Sequence, residues 1–87
     1  MANSNSAAKR ARQNTKRRDR HRARRTATRG AVRLVRTTAA EGDEEGYKEA
    51  LRVAFSALDR AAKTGAIHTG TADRTKRRLA ALGATIA

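Results

Sequence analysis

The chain has no cysteine and no proline, and its aromatic side chains are limited to Tyr47 and Phe55. Each absence excludes something. Without thiols there is neither a disulfide framework nor a thiolate zinc site to reinforce a small domain, and the compartment's redox state is irrelevant to folding. The absence of proline and the scarcity of aromatic residues, beside abundant Ala, Arg and Lys, suit helix and disfavour sheet. No window approaches the roughly 20 apolar residues needed to span a membrane. The start, MANSNSAAKRAR, has no apolar run like the core of a secretory signal. An Arg-rich, acid-poor start imitates an organelle transit peptide, but such segments are removed, whereas this one holds most of the charge. A cytoplasmic, all-α protein with a thin core is expected, since 87 residues bury a smaller share of their surface than a larger domain does.

Acids are scarce in one half only. Residues 1–36 hold thirteen Lys and Arg against a single acid, Asp19, whereas the remaining eight bases face seven acids. Nearly all of the net charge of +13 therefore lies in one segment that repels itself until a polyanion neutralises it.

The pattern predicts three helices. The first runs from Ala7 to Thr38 with Ser6 as N-cap, and apolar side chains larger than alanine enter it only at Val32, Leu34 and Val35, which with Ala27, Ala31 and Ala39 form a stripe at its end. The basic part upstream buries almost nothing, so in the free protein it is expected to be disordered and to become helical on binding. AEGDEEG (40–46) is a turn leading into a second helix, with Asp43 as N-cap and Glu44 and Glu45 in the first turn. Along that helix Tyr47, Leu51, Ala54, Phe55, Leu58, Ala61 and Ala62 recur on one face, with Leu51, Phe55 and Leu58 in its middle. Gly65 fits a left-handed C-terminal cap. A third helix from about Thr71 to Leu82 places Ala72, Thr75, Leu79 and Leu82 on one side. The expected architecture is a three-helix bundle with a long basic N-terminal helix extending beyond the core, in one domain over 1–87 (arm 1–30, helical core about 31–84).

Catalysis needs an acid and a base held within reach in a water-excluding pocket, and the only histidines, His21 and His68, lack the spacing of a catalytic or zinc-binding pair. The acids Glu41, Asp43, Glu44 and Glu45 lack the order of a calcium loop. No enzyme, cofactor or metal site is expected, and His68 reads as a packing or hydrogen-bonding residue at a helix joint. A nucleic-acid binder remains. Its two aromatics lie on an apolar face, so stacking platforms for single strands are missing, and recognition through backbone and shape suits folded RNA. Composition leaves DNA open, in the manner of a nucleoid-type DNA-binding protein. A membrane-active cationic peptide is a weaker alternative because 7–25 has no bulky apolar face.

The stretch GAIHTGTADRTKRRL (65–79) resembles the C-terminal signature of the bacterial small-subunit ribosomal protein S-twenty family, roughly Gly-x-Ile-His-Lys-Asn-x-Ala-x-Arg-x-Lys-x-x-Leu. Gly65, Ile67, His68, Ala72, Arg74, Lys76 and Leu79 match it, and LDRAA (58–62), Gly42-Asp43 and the start with Ser6, Ala7, Lys9 and Arg10 fit the family upstream. Thr69-Gly70 replaces the usual Lys-Asn, which assigns the third helix's cap to Thr69 or Thr71, and Gly30 stands where the family often has Thr. The resemblance implies a three-helix bundle that binds small-subunit (16S) ribosomal RNA directly, early in assembly, and touches more than one RNA helix. The expected RNA-binding residues are Lys9, Arg10, Arg12, Lys16, Arg17, Arg18, Arg20, Arg22, Arg24, Arg25 and Arg29 in the arm, with His68, Arg74, Lys76, Arg77 and Arg78 near the third helix. No membrane, small-molecule substrate or homo-oligomer is expected.

Overall fold

A computed structural model of the chain describes residues 2–86; Met1 and Ala87, the ends of the expected 1–87 domain, lie outside the described residues. Three α-helices follow one another, α1 (Ala2–Ala40), α2 (Glu44–Lys63) and α3 (Thr69–Ala81), and a 3-10 turn spans Leu82–Thr85. The helix count and the length of the first helix agree with the sequence reading. One cap does not: α1 begins upstream of Ser6, which is inside the helix and caps nothing.

Both joints are built the same way. At the end of α1, Asp43 N–H donates to Thr38 C=O (3.0 Å) and Gly42 N–H to Ala39 C=O (3.1 Å), while at the end of α2, Ala66 N–H donates to Ala61 C=O (2.9 Å) and Gly65 N–H to Ala62 C=O (3.1 Å). This paired reach back into the last turn satisfies carbonyls that the helix leaves free, and it requires a left-handed residue in between. Gly42 (φ 73°) and Gly65 (φ 81°) supply it. Asp43 then caps α2 as expected, its Oδ1 accepting from Gly46 N–H at 3.0 Å, and Glu44 and Glu45 occupy the first turn.

The core runs along α2. Its fully buried positions are Tyr47, Ala50, Ala54, Leu58 and Ala61, spaced three or four apart, and against them pack Val35 from α1 and Ala72 and Leu79 from α3. Alanines at the closest approach let the helix backbones come together, so the bulkier side chains sit to either side. That displaces two expected core residues: Leu51 and Phe55 are half-buried flanks, as is Ala62, and Ala50 takes the central place. On α1 the buried set is Thr28, Val35 and Thr38, with Ala31, Val32 and Ala39 beside them, whereas Ala27 is exposed and Leu34 is 52% exposed. Phase explains this correction, because Thr28 lies two helical turns before Val35 on the same face, and Ala27 and Leu34 are each one residue, or about 100°, off it. The buried threonines are satisfied by their own helix: Thr28 Oγ1 donates to Arg24 C=O (2.8 Å) and Thr38 Oγ1 to Leu34 C=O (2.9 Å).

Tyr47 ties the start of α2 to the end of α3 at one end of the bundle. Its hydroxyl donates to Leu79 C=O at 2.7 Å, with Ala80 C=O at 3.2 Å, so a buried phenol finds its partner among carbonyls of the last turn of α3. The only ion pair between helices among the described residues joins Lys76 Nζ to Asp59 Oδ1 at 2.8 Å. Lys76 also stands 5.3 Å over the Phe55 ring, and the Asp59 hydrogen bond raises its pKa above the usual lysine value.

Among the described residues, the first helix has no neighbour upstream of the bundle. Every side chain from Asn5 to Arg20 is exposed, and the radius of gyration, 17.6 Å, far exceeds the roughly 12 Å of a compact chain of this length.

Two expectations follow from this architecture. Truncating Leu79 or Leu58 to Ala removes a fully buried side chain and lowers the unfolding free energy by about 2–5 kcal/mol, whereas Phe55→Ala, at a half-buried flank, costs less than either; urea melts monitored by circular dichroism rank the three. In the isolated chain at low salt, amides of residues 5–20 should exchange with little protection, because that part of α1 has no packing to offset charge repulsion; strong protection there would show a preformed arm.

Candidate nucleic-acid interface

At 100° per residue the cations of α1 sort into rows. Arg18, Arg22, Arg25, Arg29, Arg33 and Arg36 fall within an arc of about 80°, a row that starts on the free arm and continues along the bundle. A second row, Arg10, Arg17, Arg20 and Arg24 with His21, continues upstream the face that downstream carries Thr28 and Val35. The core face of α1 thus becomes a cationic face where α2 ends, and Arg17, Arg20, His21 and Arg24 surround a hollow against Thr64, the C-cap of α2. Lys9, Arg12 and Lys16 lie between the rows, fully exposed.

Among the described residues no acid pairs with any of the α1 cations. The ion pairs among the described residues are Lys48–Glu44, Arg52–Glu49 and Lys76–Asp59, and none involves an arm cation. Among the described residues Arg25 is the one cation of α1 hydrogen-bonded to another element, its Nη1 3.5 Å from Ala66 C=O in the α2–α3 joint. Like charges repeated every turn without partners raise the free energy of the helix and make it a strong attractor for a polyanion.

The second cationic element is the start of α3. His68, Thr71, Arg74, Arg77 and Arg78 line one shallow hollow with Gly70. His68 is its cornerstone, because its Nδ1 accepts from Gly70 N–H at 2.9 Å and caps the helix. This corrects the assignment of the cap to Thr69 or Thr71, and it accounts for the local sequence: a Cβ at position 70 would sit 3.1 Å from Nδ1, so glycine leaves the ring room to approach. His68 is thus a hydrogen-bonding residue of the joint with its imidazole at the surface.

Of the residues expected to meet RNA, the structure gathers His68, Arg74, Arg77 and Arg78 in that hollow and sets the arm cations along α1. Lys76 is placed elsewhere, its side chain 25% exposed and engaged with Asp59 and Phe55, where it braces α2 against α3. Arg33 and Arg36 were not among the residues expected to meet RNA, yet both line a groove between α1 and α3 with Arg25 and Arg29. Their signal was present in the sequence as the phase of the first row, which does not stop at Arg29.

Residues 2–83 match the family described as ribosomal protein S20. The chain is 44% identical over 79 residues to the small ribosomal subunit protein bS20 of Syntrophobacter fumaroxidans, covering 91% of this chain and 92% of that one. It is 47% identical over 79 residues to the protein of the same name from Rhodopirellula baltica, covering 91% and 88%. With that of Citrifermentans bemidjiense the identity is 41% over 86 residues, covering 99% of both chains.

His68→Ala removes the acceptor for Gly70 N–H and should destabilise the fold by about 1 kcal/mol, while His68→Asn, which keeps a capping acceptor, recovers most of the loss. Thermal melts of the two variants beside the parent measure it.

Proposed function

The chain belongs to the ribosomal protein S20 family, and on that premise we propose that it is a structural, non-catalytic protein of the small ribosomal subunit that binds small-subunit ribosomal RNA directly and stabilises its fold during assembly. The observation that carries the reading is the pair of unneutralised cation rows on a helix that leaves the bundle. Such rows contact phosphates on two sides of the arm at once, so the arm can lie between RNA segments while the bundle's own cations, at His68, Arg74, Arg77 and Arg78, hold a further segment. Binding of this kind supplies the counter-charge that the arm lacks, and helix formation in the arm and RNA neutralisation then favour each other.

The contacting set in this reading is the arm from Lys9 to Arg29, extended by Arg33 and Arg36, together with the α3 hollow; Lys76 acts through the packing of α3. The protein acts as one RNA-binding domain, as a single copy, at the ribosome in the cytoplasm. No helix among the described residues is long and apolar enough to cross a membrane. The nucleoid alternative loses its support, because the family match names a ribosomal protein and the charge rows are common to both readings.

With six or more phosphate contacts, affinity for small-subunit RNA should fall by about 10³-fold or more between 50 and 200 mM salt, somewhat less steeply if single-stranded segments dominate. Replacing Arg10, Arg17, Arg18 and Arg22 by Gln removes four exposed charges and leaves the core untouched. The slope of log affinity against log salt should then become shallower by about 0.7–0.9 for each phosphate no longer neutralised, with no fall in melting temperature. Filter binding over a salt series with RNA and with duplex DNA tests both statements, and equal affinity for the two at physiological salt would count against the ribosomal reading.

A further inference from the structure

Helices α1 and α3 both pack on α2 and scarcely touch each other. Between them runs an open groove of about 480 Å³ whose character differs from the rest of the basic surface. Its floor is apolar, formed by buried Leu58 with half-buried Val32 and Ile67. One wall carries Arg25, Arg29, Arg33 and Arg36, the bundle-borne part of the first cation row, and the opposite wall carries Thr71 and Thr75 of α3. Among the described residues neither of these two hydroxyls has a protein hydrogen-bond partner, which they share with Thr26 and Thr69, whereas Thr15, Thr28, Thr37, Thr38 and Thr64 donate to a carbonyl of their own helix, so both are free to meet a ligand.

A phosphodiester backbone matches the arginine wall but gains nothing from the apolar floor, which prefers a ligand that removes it from water. An unpaired nucleotide satisfies both. Its base is flat, mostly apolar on its faces and polar at its edge, and single-stranded bases splayed from folded RNA are held by stacking on arginine planes and by hydrogen bonds to their edges. Neither aromatic ring lies in this groove: Tyr47 is buried, and Phe55 lines a separate hollow on the α2–α3 side, under Lys76.

Resting on the RNA-binding reading above, we infer that the α1–α3 groove is a seat for one unpaired RNA base. The base lies over Val32 and Ile67 and its edge meets the Thr71 and Thr75 hydroxyls. The guanidinium of Arg29 covers its outer face, and Arg33 and Arg36 hold the flanking phosphates. Recognition then has two parts, a phosphate part spread along α1 and a base part confined to this groove.

The two parts respond differently to salt, which gives the test. The full chain carrying Thr71→Leu and Thr75→Leu has a filled groove and unchanged charge. It should bind small-subunit ribosomal RNA about 10-fold more weakly, the scale of removing one bound base, with the same salt slope as the parent. Thr71→Val with Thr75→Val keeps the volume and removes only the hydroxyls, and should lose a smaller part of the affinity. Ultraviolet cross-linking of the parent complex, read by mass spectrometry, should attach a base within the tryptic segment 64–74, and the Leu variant should lose that adduct. Unchanged affinity of both variants with no adduct in this segment overturns the base seat while leaving RNA binding intact. A loss of affinity with a shallower salt slope also overturns it, because the groove would then take phosphates alone. Failure of the parent itself to bind the RNA overturns the proposed function instead.

Discussion

Everything else in this molecule depends on the apolar face of α2, the one helix that packs on both of the others. Its 20 residues run antiparallel to the second half of α1, so the point at which α2 ends decides how much of α1 has a partner. That point is Thr64, opposite Arg24 and His21. Downstream of it the inner face of α1 is Thr28, Val35 and Thr38; upstream the same face carries Arg24, Arg20 and Arg17. A longer second helix would bury those arginines at a cost that nothing nearby could offset. The arm is free because α2 stops.

The thinness of the core is compensated by local devices. Alanine at the contact lines brings the helices close, left-handed glycines at 42 and 65 close each joint with two backbone hydrogen bonds, and Asp43 and His68 cap the helices that follow. Tyr47 then fastens the start of α2 to the end of α3, and the Lys76–Asp59 pair with the Phe55 ring holds the middle. These devices leave the long helix and the short one on opposite flanks of α2, and their separation opens the groove lined by Arg29 and Thr71. Packing economy and the shape of the cationic surface therefore have one origin.

Charge behaves here as an unfinished interaction. Exposed ion pairs such as Lys48–Glu44 and Arg52–Glu49 occupy the outer side of α2, the latter lowering the pKa of Glu49 and raising that of Arg52 through their mutual hydrogen bond, whereas α1 has only Asp19 to set against its bases. A helix of that composition is completed by its partner, which ties the folding of the arm to the assembly it joins.

The number of helices, the joints at 42–43 and 65, the Asp43 cap and the segregation of charge were legible in the sequence, because each depends on neighbours within a turn or two of the chain. So was the family, from a signature in 65–79 whose residues prove to be the joint, the cap and the first contacts of α3. What required the tertiary structure was every choice among residues that look equivalent in one dimension. Hydrophobicity favoured Leu34, Ala27 and Phe55 for the core, yet the close approach of helices selected Thr28 and Ala50, since the room between backbones, rather than the apolarity of a side chain, decides which positions are buried. Likewise Lys76 and Arg74 read alike as cations until packing turned one toward Asp59 and left the other in the hollow beside His68. The sequence by itself determined which segments are helical and which half carries the charge; only the packing of α1 and α3 on a shared partner decided which cations face solvent, which brace the fold, and where between them a groove remains.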